Sequence, residues 1–320
     1  MFTFQELTQT FSSQLKQQFS NEPTRLYEAA NYFLELGGKR IRPVMCLMGN
    51  ELFDNINPDA WHAANAIELF HNFTLVHDDI MDKASLRRGK PTVHEKYGGP
   101  TALLAGDLML VQAYDYLNKI DNRYLHKIMA LFNRTGKQVC EGQQSDMDFE
   151  QQENVELDAY INMIGLKTSV LLAASLQMGA ILGGASLGNQ QHLYEFGKNL
   201  GIAFQLQDDY LDAFGDPQKF GKEVGGDIKS NKKTFLVIRA LEACSPEQKQ
   251  ELQQLMQQDA PDKVPKVLSI FKKAGIDDWA RSLKEDFMKK ALHHLDEIAV
   301  LSVRKEPLRQ LAEYLMQRES

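Results

Sequence analysis

Apolar residues recur at helical spacing along almost the whole chain. Leu69, Phe73 and Val76 step by four and then three residues, and similar stripes occupy 102–117 and 160–182. This period places the apolar side chains on one face of a helix, whereas a half-buried strand would alternate at every second residue. The pattern predicts about ten or more helices and no strand of convincing length.

Polar segments rich in turn-forming residues separate these stripes. They lie at 54–59, 83–100, 142–158, 183–190, 215–233 and 259–265. None resembles a long flexible linker, and the composition does not shift along the chain. The sequence therefore predicts one all-α domain, a helical bundle that spans residues 1–320.

Composition and charge narrow the functional class. The 320 residues are 43% hydrophobic and carry a net charge of -7, so the chain can bury a core but gives no global support for a nucleic-acid partner. Cys46, Cys140 and Cys244 are few, odd in number and far apart, which indicates reduced thiols. No signal peptide is apparent, and no apolar run approaches the ~20 residues of a membrane span. We expect a cytoplasmic protein without a membrane span.

One short acidic pattern occurs twice. DDIMD begins at Asp78 after the apolar FTLV, and DDYLD begins at Asp208 after GIAFQL. On a helix, positions i and i+4 lie ~5–6 Å apart, so Asp78 with Asp82, and Asp208 with Asp212, would crowd like charges. A single DDxxD is more often a solvated helix face. Two copies behind apolar stretches favour bound cations, and oxygen ligands favour Mg²⁺ that is shared with substrate phosphates.

Basic residues flank both aspartate motifs. They are Lys39, Arg40 and Arg42 in GGKRIRP, Arg87 and Arg88 after the first motif, and Lys222, Lys229, Lys232 and Lys233 after the second. In an acidic protein, such clusters predict a local site for a diphosphate or triphosphate. His71 shares a helix face with Asp78 and Asp82, which favours a contact with phosphate or substrate. His77 lies off that face, and we expect a structural role for it.

Five ordered motifs resemble those of the trans-isoprenyl diphosphate synthases, also called polyprenyl synthetases. They are GGKRIRP at 37–43, DDIMD with LRRGKPTVH at 78–94, LKTSVLL at 166–172, FQLQDDYLD at 204–212 and FGKEVGGDIKSNKKT at 220–234. The resemblance implies an all-α fold of the isoprenoid synthase type around a deep central cavity. It also implies that the two aspartate motifs face each other at the cavity mouth, and that the protein is a homodimer.

The resemblance implies a role for each matching residue. Asp78, Asp82, Asp208 and Asp212 are expected to bind three Mg²⁺ ions with the allylic diphosphate, supported by Asp79 and Asp209. That diphosphate is expected to contact Arg87, Lys167, Lys222 and Lys232. Isopentenyl diphosphate is expected to contact Lys39, Arg42, His71 and Arg88. Thr168 and Gln205 are expected to place oxygens near the developing allylic cation, and Ser169 replaces a frequent glycine without displacing Lys167.

The implied reaction condenses isopentenyl diphosphate with an allylic diphosphate to give a short-chain all-trans prenyl diphosphate. Breaking the allylic C–O bond develops negative charge on the diphosphate, which preorganised cations stabilise. The double bond of isopentenyl diphosphate then captures the carbocation, and proton loss gives a product one C5 unit longer. Two alternatives stay open: a class I terpene cyclase, and a non-catalytic or regulatory subunit of a heteromeric synthase.

The residues before Asp78 predict the product length. Phe73 lies ~7.5 Å from Asp78 along a helix and can block a growing hydrocarbon tail, whereas the small Thr74 cannot. An aromatic at the fifth position only, with no insertion in DDIMD, resembles archaeal-type geranylgeranyl synthases. We therefore expect a C20 product ahead of C15, with Phe70 and the segment 104–110 as further parts of the floor. The alternative is that Phe73 belongs only to the apolar core.

The metal assignment predicts the effect of removing one carboxylate. Asp78→Ala or Asp208→Ala should lower turnover by at least ~10², because the cations that stabilise the leaving diphosphate lose a ligand. Circular dichroism should show an intact helical fold, since the substitution also relieves like-charge crowding. Near-wild-type turnover of either variant at saturating Mg²⁺ would show that the metal assignment is wrong.

Overall fold

The computed structural model describes residues 1–15, 19, 24–152, 154–215, 225–258 and 260–317. The helices of this part of the chain are α1 (Phe4–Gln14), α2 (Arg25–Glu35), α3 (Ile41–Glu51), α4 (Pro58–Met81), α5 (Val93–Tyr97), α6 (Gly99–Leu117), α7 (Asn122–Gln151), α8 (Leu157–Ile164), α9 (Val170–Leu182), α10 (Leu187–Phe214), α11 (Gly226–Lys229), α12 (Phe235–Ala243), α13 (Pro246–Leu255), α14 (Lys263–Lys273), α15 (Ile276–Asp296) and α16 (Ser302–Gln317). A π-helical turn, Gly165–Ser169, joins α8 to α9. The predicted all-α fold is confirmed.

Strands β1 (Leu86–Arg87) and β2 (Lys90–Pro91) form a small antiparallel hairpin, which the apolar pattern does not predict. Two residues per strand are too few to show alternation. The predicted break at 142–158 is wrong in its first part, because α7 continues to Gln151. Gln143, Gln144, Met147 and Glu150 of this stretch are good helix formers, and most of its side chains are exposed or half-buried.

The chain folds as two compact units. Unit 1 comprises Met1–Asn133, Ala174–Gln191 and Ala299–Pro307, and unit 2 comprises Arg134–Ala173, His192–Ile298 and Leu308–Ser320. The first aspartate motif lies in unit 1 and the second lies in unit 2. A single domain around a central cavity stays a prediction.

Helix α4 is the centre of unit 1 and packs against α3 and α6. It begins with Pro58 at its first position, after Asn57, whose side chain accepts a hydrogen bond from the backbone N–H of Asp59. Helix α3 approaches α9 very closely, because a Cβ at Gly179 would lie 2.0 Å from the Cys46 carbonyl oxygen. Close packing of α3 and α4 holds the first aspartate motif at the C-terminal end of α4.

Unit 2 is built around a buried apolar cluster that includes Leu206 of α10, Phe235 of α12 and Phe271 of α14. The segment Leu157–Leu182 is long and apolar enough to cross a membrane, but 78% of its most apolar window is buried inside the protein. Such burial is typical of a core helix in a soluble protein. The second aspartate motif lies near the end of α10.

Candidate active site

The first aspartate motif buries its middle carboxylate. Asp79 is 2% exposed, whereas Asp78 is half-buried and Asp82 is exposed. Arg87 donates from Nε to both carboxylate oxygens of Asp79, at 2.9 and 2.7 Å, and its Nη2 lies 2.7 Å from Oδ1. A buried carboxylate needs such a partner. The motif therefore turns its first and fifth aspartates outward and pairs the second with a cation.

The β1–β2 hairpin places Arg87 for this contact. Its two turn residues are Arg88, with φ 52°, and Gly89, with φ 73°. Positive φ at both central residues is what a two-residue type I′ hairpin requires. The same turn directs Arg88 back to GGKRIRP, where its guanidinium donates to the Gly37 carbonyl. A short hairpin thus aims two predicted site arginines in different directions.

Arg42 and His71 form a contact on the face that the sequence predicts. The Arg42 guanidinium Nη1 lies 3.1 Å from His71 Nε2. Since a guanidinium only donates, His71 accepts at Nε2 and is the neutral imidazole with its hydrogen on Nδ1. Arg42 Nε is buried and has no hydrogen-bond partner among the described residues. A buried, unpartnered cationic donor is well suited to an anionic ligand.

Burial lowers the pKa values in this cluster, and neighbouring arginines lower those of His71 and Arg88 further. Burial lowers the pKa of Arg42 to about 10, partly offset by Glu68. It also holds the pKa of His71 well below its usual range, with Arg42 and Arg88 as the next causes. Burial, and then Arg40, lowers the pKa of Arg88. The unit 1 cluster is therefore strongly electropositive before any anion binds.

A buried ion pair lies beneath these arginines. Arg40 and Glu68 are 8% and 3% exposed, and the Arg40 guanidinium donates to the Glu68 carboxylate and to the Leu34 carbonyl. Asn72 donates to Glu68 Oε1 at 3.1 Å. Arg40 is therefore committed to the protein interior, while Lys39 next to it is exposed. The sequence groups Arg40 with Lys39 and Arg42 as a basic cluster, but the side chain of Arg40 is bonded within the protein.

The second aspartate motif also buries its middle carboxylate, but its partners are neutral. Asp209 is 6% exposed, and it accepts a hydrogen bond from the Tyr160 hydroxyl and another from Gln205 Nε2 at 3.0 Å. Burial raises the pKa of Asp209 to about 7, and the Asp227 charge acts in the same direction. Asp208 is exposed and Asp212 is half-buried. As in the first motif, the first and fifth aspartates point outward and the second is buried.

Asp212 is held at the start of α11. The backbone N–H of Asp227 donates to Asp212 Oδ2 at 3.0 Å, and that of Gly225 donates to the Asp212 carbonyl at 2.6 Å. Gly226 allows this approach, since a Cβ there would lie 3.1 Å from Asp212 Oδ1. Lys232 Nζ lies 3.4 Å from Asp227 Oδ1. Asp227 thus links the second motif to a predicted diphosphate-binding lysine.

The π-helical turn carries Lys167 and Thr168. A Cβ at Gly142 of α7 would lie 2.3 Å from the Lys167 backbone nitrogen, and a Cβ at Gly201 of α10 would lie 2.7 Å from Ser169 Cβ. The turn is therefore packed closely against two glycines, and π-bulges are frequent at functional sites. Ser169 is fully buried against Gly201, so a serine fits where the family often has glycine. Lys167 Nζ lies 2.5 Å from Asp146 Oδ2.

Phe73 is half-buried in an aromatic cluster of unit 1. Its ring centroid lies 5.6 Å from that of Phe70 and 4.7 Å from that of His77. Phe70 is 4% exposed and makes an edge contact with Phe132 at 5.2 Å. In the segment 104–110, Met109 is fully buried, whereas Leu104 is 55% exposed.

The structure groups the predicted residues by unit. Unit 1 brings together Lys39, Arg42, His71, Phe73, Thr74, Asp78, Asp82, Arg87 and Arg88, and unit 2 brings together Lys167, Thr168, Gln205, Asp208, Asp212 and Lys232. Lys222 lies outside the described residues. The sequence does not predict the contacts of Glu68, Asp146, Tyr160 and Asp227. Only Asp146 and Asp227 had a signal, as acidic residues in the polar stretch SDMD and inside GGDIKSNKK.

Comparisons with known proteins identify the class. The polyprenyl synthetase family pattern matches residues 23–273. A geranylgeranyl diphosphate synthase from Sulfolobus acidocaldarius is 37% identical over 322 residues, which cover 98% of this chain and 97% of the relative. A geranylfarnesyl diphosphate synthase from Natronomonas pharaonis is 34% identical over 316 residues, which cover 93% and 91%. A crystal structure of a geranylgeranyl pyrophosphate synthase matches with a TM-score of 0.95 and 43% identity, covering 100% of both chains.

The chain belongs to the polyprenyl synthetase family. Within it, the chain is a short-chain trans-prenyl diphosphate synthase, a trans-prenyltransferase with the isoprenoid synthase fold. The family uses divalent metal ions with diphosphate substrates.

The pKa of Asp209 predicts how the stability of the metal-free protein depends on pH. The folded pKa of about 7 exceeds the ordinary value of 3.8, so the folded state binds the proton more tightly. The stabilisation from this proton is complete below pH ~4 and is lost as pH rises through ~7. Asp209→Asn mimics the protonated side chain. In EDTA, the wild-type Tm should fall relative to that of Asp209→Asn between pH 5 and pH 8. Parallel Tm profiles for the two proteins would contradict this assignment.

Proposed function

We propose that the protein condenses isopentenyl diphosphate with allylic diphosphates in a Mg²⁺-dependent reaction and releases mainly the C20 product, geranylgeranyl diphosphate, with C15 next. The observation that carries the proposal is the shared geometry of the two motifs. Each turns its first and fifth carboxylates outward and buries the second. Outward carboxylate pairs one helical turn apart suit Mg²⁺ ions that share their ligands with a diphosphate.

The proposed metal ligands are Asp78, Asp82, Asp208 and Asp212. When bound, three Mg²⁺ ions would neutralise the charge that develops on the leaving diphosphate. The protein fixes the motifs in advance: Arg87 holds Asp79, the neighbour of the proposed ligand Asp78, and the start of α11 holds the proposed ligand Asp212. Preorganised groups need no rearrangement when the allylic bond breaks.

Isopentenyl diphosphate is proposed to bind the unit 1 cluster of Lys39, Arg42, His71 and Arg88. The buried Nε of Arg42, which has no hydrogen-bond partner among the described residues, and the lowering of the pKa values of His71 and Arg88 by burial and by neighbouring arginines support this assignment. An anion there would relieve repulsion between guanidinium groups. His71, as a neutral imidazole, fixes the orientation of Arg42.

The allylic diphosphate is proposed to contact Arg87, Lys167, Lys222 and Lys232. Two of these cations already lie beside carboxylates, Lys167 beside Asp146 and Lys232 beside Asp227. Thr168 and Gln205 are proposed to stabilise the allylic cation with their oxygens. Gln205 fits this role because its amide nitrogen donates to Asp209, which leaves Oε1 as the acceptor.

We further propose that the enzyme is a cytoplasmic homodimer. The three cysteines are unpaired, which fits a reducing compartment. Helix α6 of unit 1 exposes an apolar stripe in which Leu104 is 55%, Val111 59% and Tyr114 37% exposed. Exposed apolar side chains at helical spacing are suited to a second copy of the chain.

Product analysis tests the proposed function. The purified protein is incubated with Mg²⁺, isopentenyl diphosphate and, in turn, dimethylallyl, geranyl and farnesyl diphosphate, and pyrophosphate release and product length are measured. We expect release to require metal and both substrates, with C20 as the main product. Release from an allylic substrate alone would indicate a cyclase, and no release would indicate a non-catalytic subunit. A main product of C25 would contradict the length assignment.

Phe73→Ala tests the floor of the product site. Removing the ring opens space beside α4, so the product should lengthen by one or more C5 units, at a stability cost below the ~3–5 kcal/mol of a fully buried phenylalanine. Thr74→Ala is the matched control, because Thr74 is small and its hydroxyl donates to the His71 carbonyl of the same helix, at 2.8 Å. We expect it to keep the wild-type products. An unchanged product distribution from Phe73→Ala would place the floor elsewhere.

A further inference from the structure

His77 lies between Phe73 and helix α6. Its ring makes an edge contact with Phe73, with centroids 4.7 Å apart and planes at 68°. Its Nε2 lies 3.0 Å from the Leu103 carbonyl oxygen. Because a carbonyl oxygen only accepts, Nε2 carries the hydrogen and donates it. One end of the imidazole is thus fixed to the backbone of α6, while its ring contacts Phe73.

Gly106 provides the space for this ring. A Cβ at Gly106 would lie 2.4 Å from His77 Nε2 and 2.5 Å from its Cδ2, which is too close for any real contact. The Asp107 carboxylate lies 3.7 Å from the same Nε2, and the His77 side chain is only 16% exposed. The imidazole therefore occupies a position that only a glycine on α6 permits.

Phe73 is held from its other side by Phe70. The Phe70 and Phe73 centroids lie 5.6 Å apart with planes at 59°, and Phe70 makes an edge contact with Phe132. Phe70, Phe73 and His77 follow one another at helical spacing, so they share one face of α4. Angled aromatic pairs favour particular ring orientations. The two neighbours therefore hold the Phe73 ring in one position.

We propose that His77 is a specificity-determining positioning residue, which fixes the product length by holding Phe73 across the path of the growing chain. The proposal rests on the proposed function, in which Phe73 forms the floor. The sequence predicts only a structural role for His77. A purely structural residue would change stability or turnover, whereas a residue that holds the floor changes the ratio of products.

Two variants displace the ring by independent routes. His77→Gln keeps a donor for the Leu103 carbonyl but removes the ring from Phe73, and Gly106→Ala leaves both residues intact but occupies the space of the imidazole. The loss of one aromatic contact should raise the ratio of the next longer product to the main product by roughly twofold to tenfold. Gly99→Ala, on the same helix with nothing within 4 Å of the added Cβ, is the matched control and should keep the wild-type ratio.

The experiment measures product lengths by mass spectrometry for folded, dimethylallyl-primed enzyme, together with the double variant Phe73→Ala/His77→Gln. If His77 acts through Phe73, the double variant should give the same products as Phe73→Ala alone. Wild-type ratios from both His77→Gln and Gly106→Ala, while Phe73→Ala lengthens the product, would overturn this inference alone. An unchanged product from Phe73→Ala would overturn both the floor assignment and this inference.

Discussion

A carboxylate that leaves water must be paired with a cation or keep its proton, and the second aspartate of each motif leaves water. Asp79 is paired with Arg87, which the β1–β2 hairpin brings back to it. Among the described residues, Asp209 accepts hydrogen bonds from the neutral donors Tyr160 and Gln205, and burial raises its pKa to about 7. The two motifs are therefore alike in sequence but differ in charge pairing, because the buried aspartate of the first is paired with a cation and that of the second with neutral donors. A cation beside the second motif would favour ionised Asp209, so we expect metal binding there to release a proton near neutral pH.

The basic cluster of unit 1 carries an excess of positive charge. Arg88 is repelled by Arg40 and Arg87, and the buried carboxylates of Glu68 and Asp79 are already bonded to Arg40 and Arg87. Burial, and then the charges of Arg42 and Arg88, lowers the pKa of His71, and the neutral imidazole orients Arg42. A diphosphate would bring the missing negative charge. Part of its binding free energy would then come from relieving the repulsion between positively charged side chains that the folded protein holds close together.

The sequence predicts those features that depend on the spacing of apolar residues and on residue type. The apolar stripe of Leu69, Phe73 and Val76 predicts α4, and the spacing of DDIMD predicts which aspartates share a face. The π-helical turn under Lys167 has no such signal, because close backbone approach at Gly142 and Gly201 decides it. Contacts between residues that are far apart in the sequence have no such signal either.

Tyr160 and Glu68 show why those partners are missed. Tyr160 lies on an apolar helix and would be assigned to the core, and it is in fact buried among core residues. Its hydroxyl nevertheless meets Asp209, 49 positions away. Glu68 lies within the apolar stripe of α4 and is recognisable only as a buried charge, paired 28 positions away with Arg40. Pattern reasoning assigns a face to each residue but not the residue that it meets.

Several charged residues of unit 1 have a strained backbone conformation. Among the described residues, Arg40, Lys83 and Arg88 of this unit are non-glycine residues with φ of 50–52°. The left-handed region costs roughly 1–2 kcal/mol for such residues, so each must be held by other contacts. Glu68 holds Arg40, and the hairpin turn holds Arg88. Because folding already compensates this cost, Arg88 is directed before substrate arrives, and binding does not have to order it.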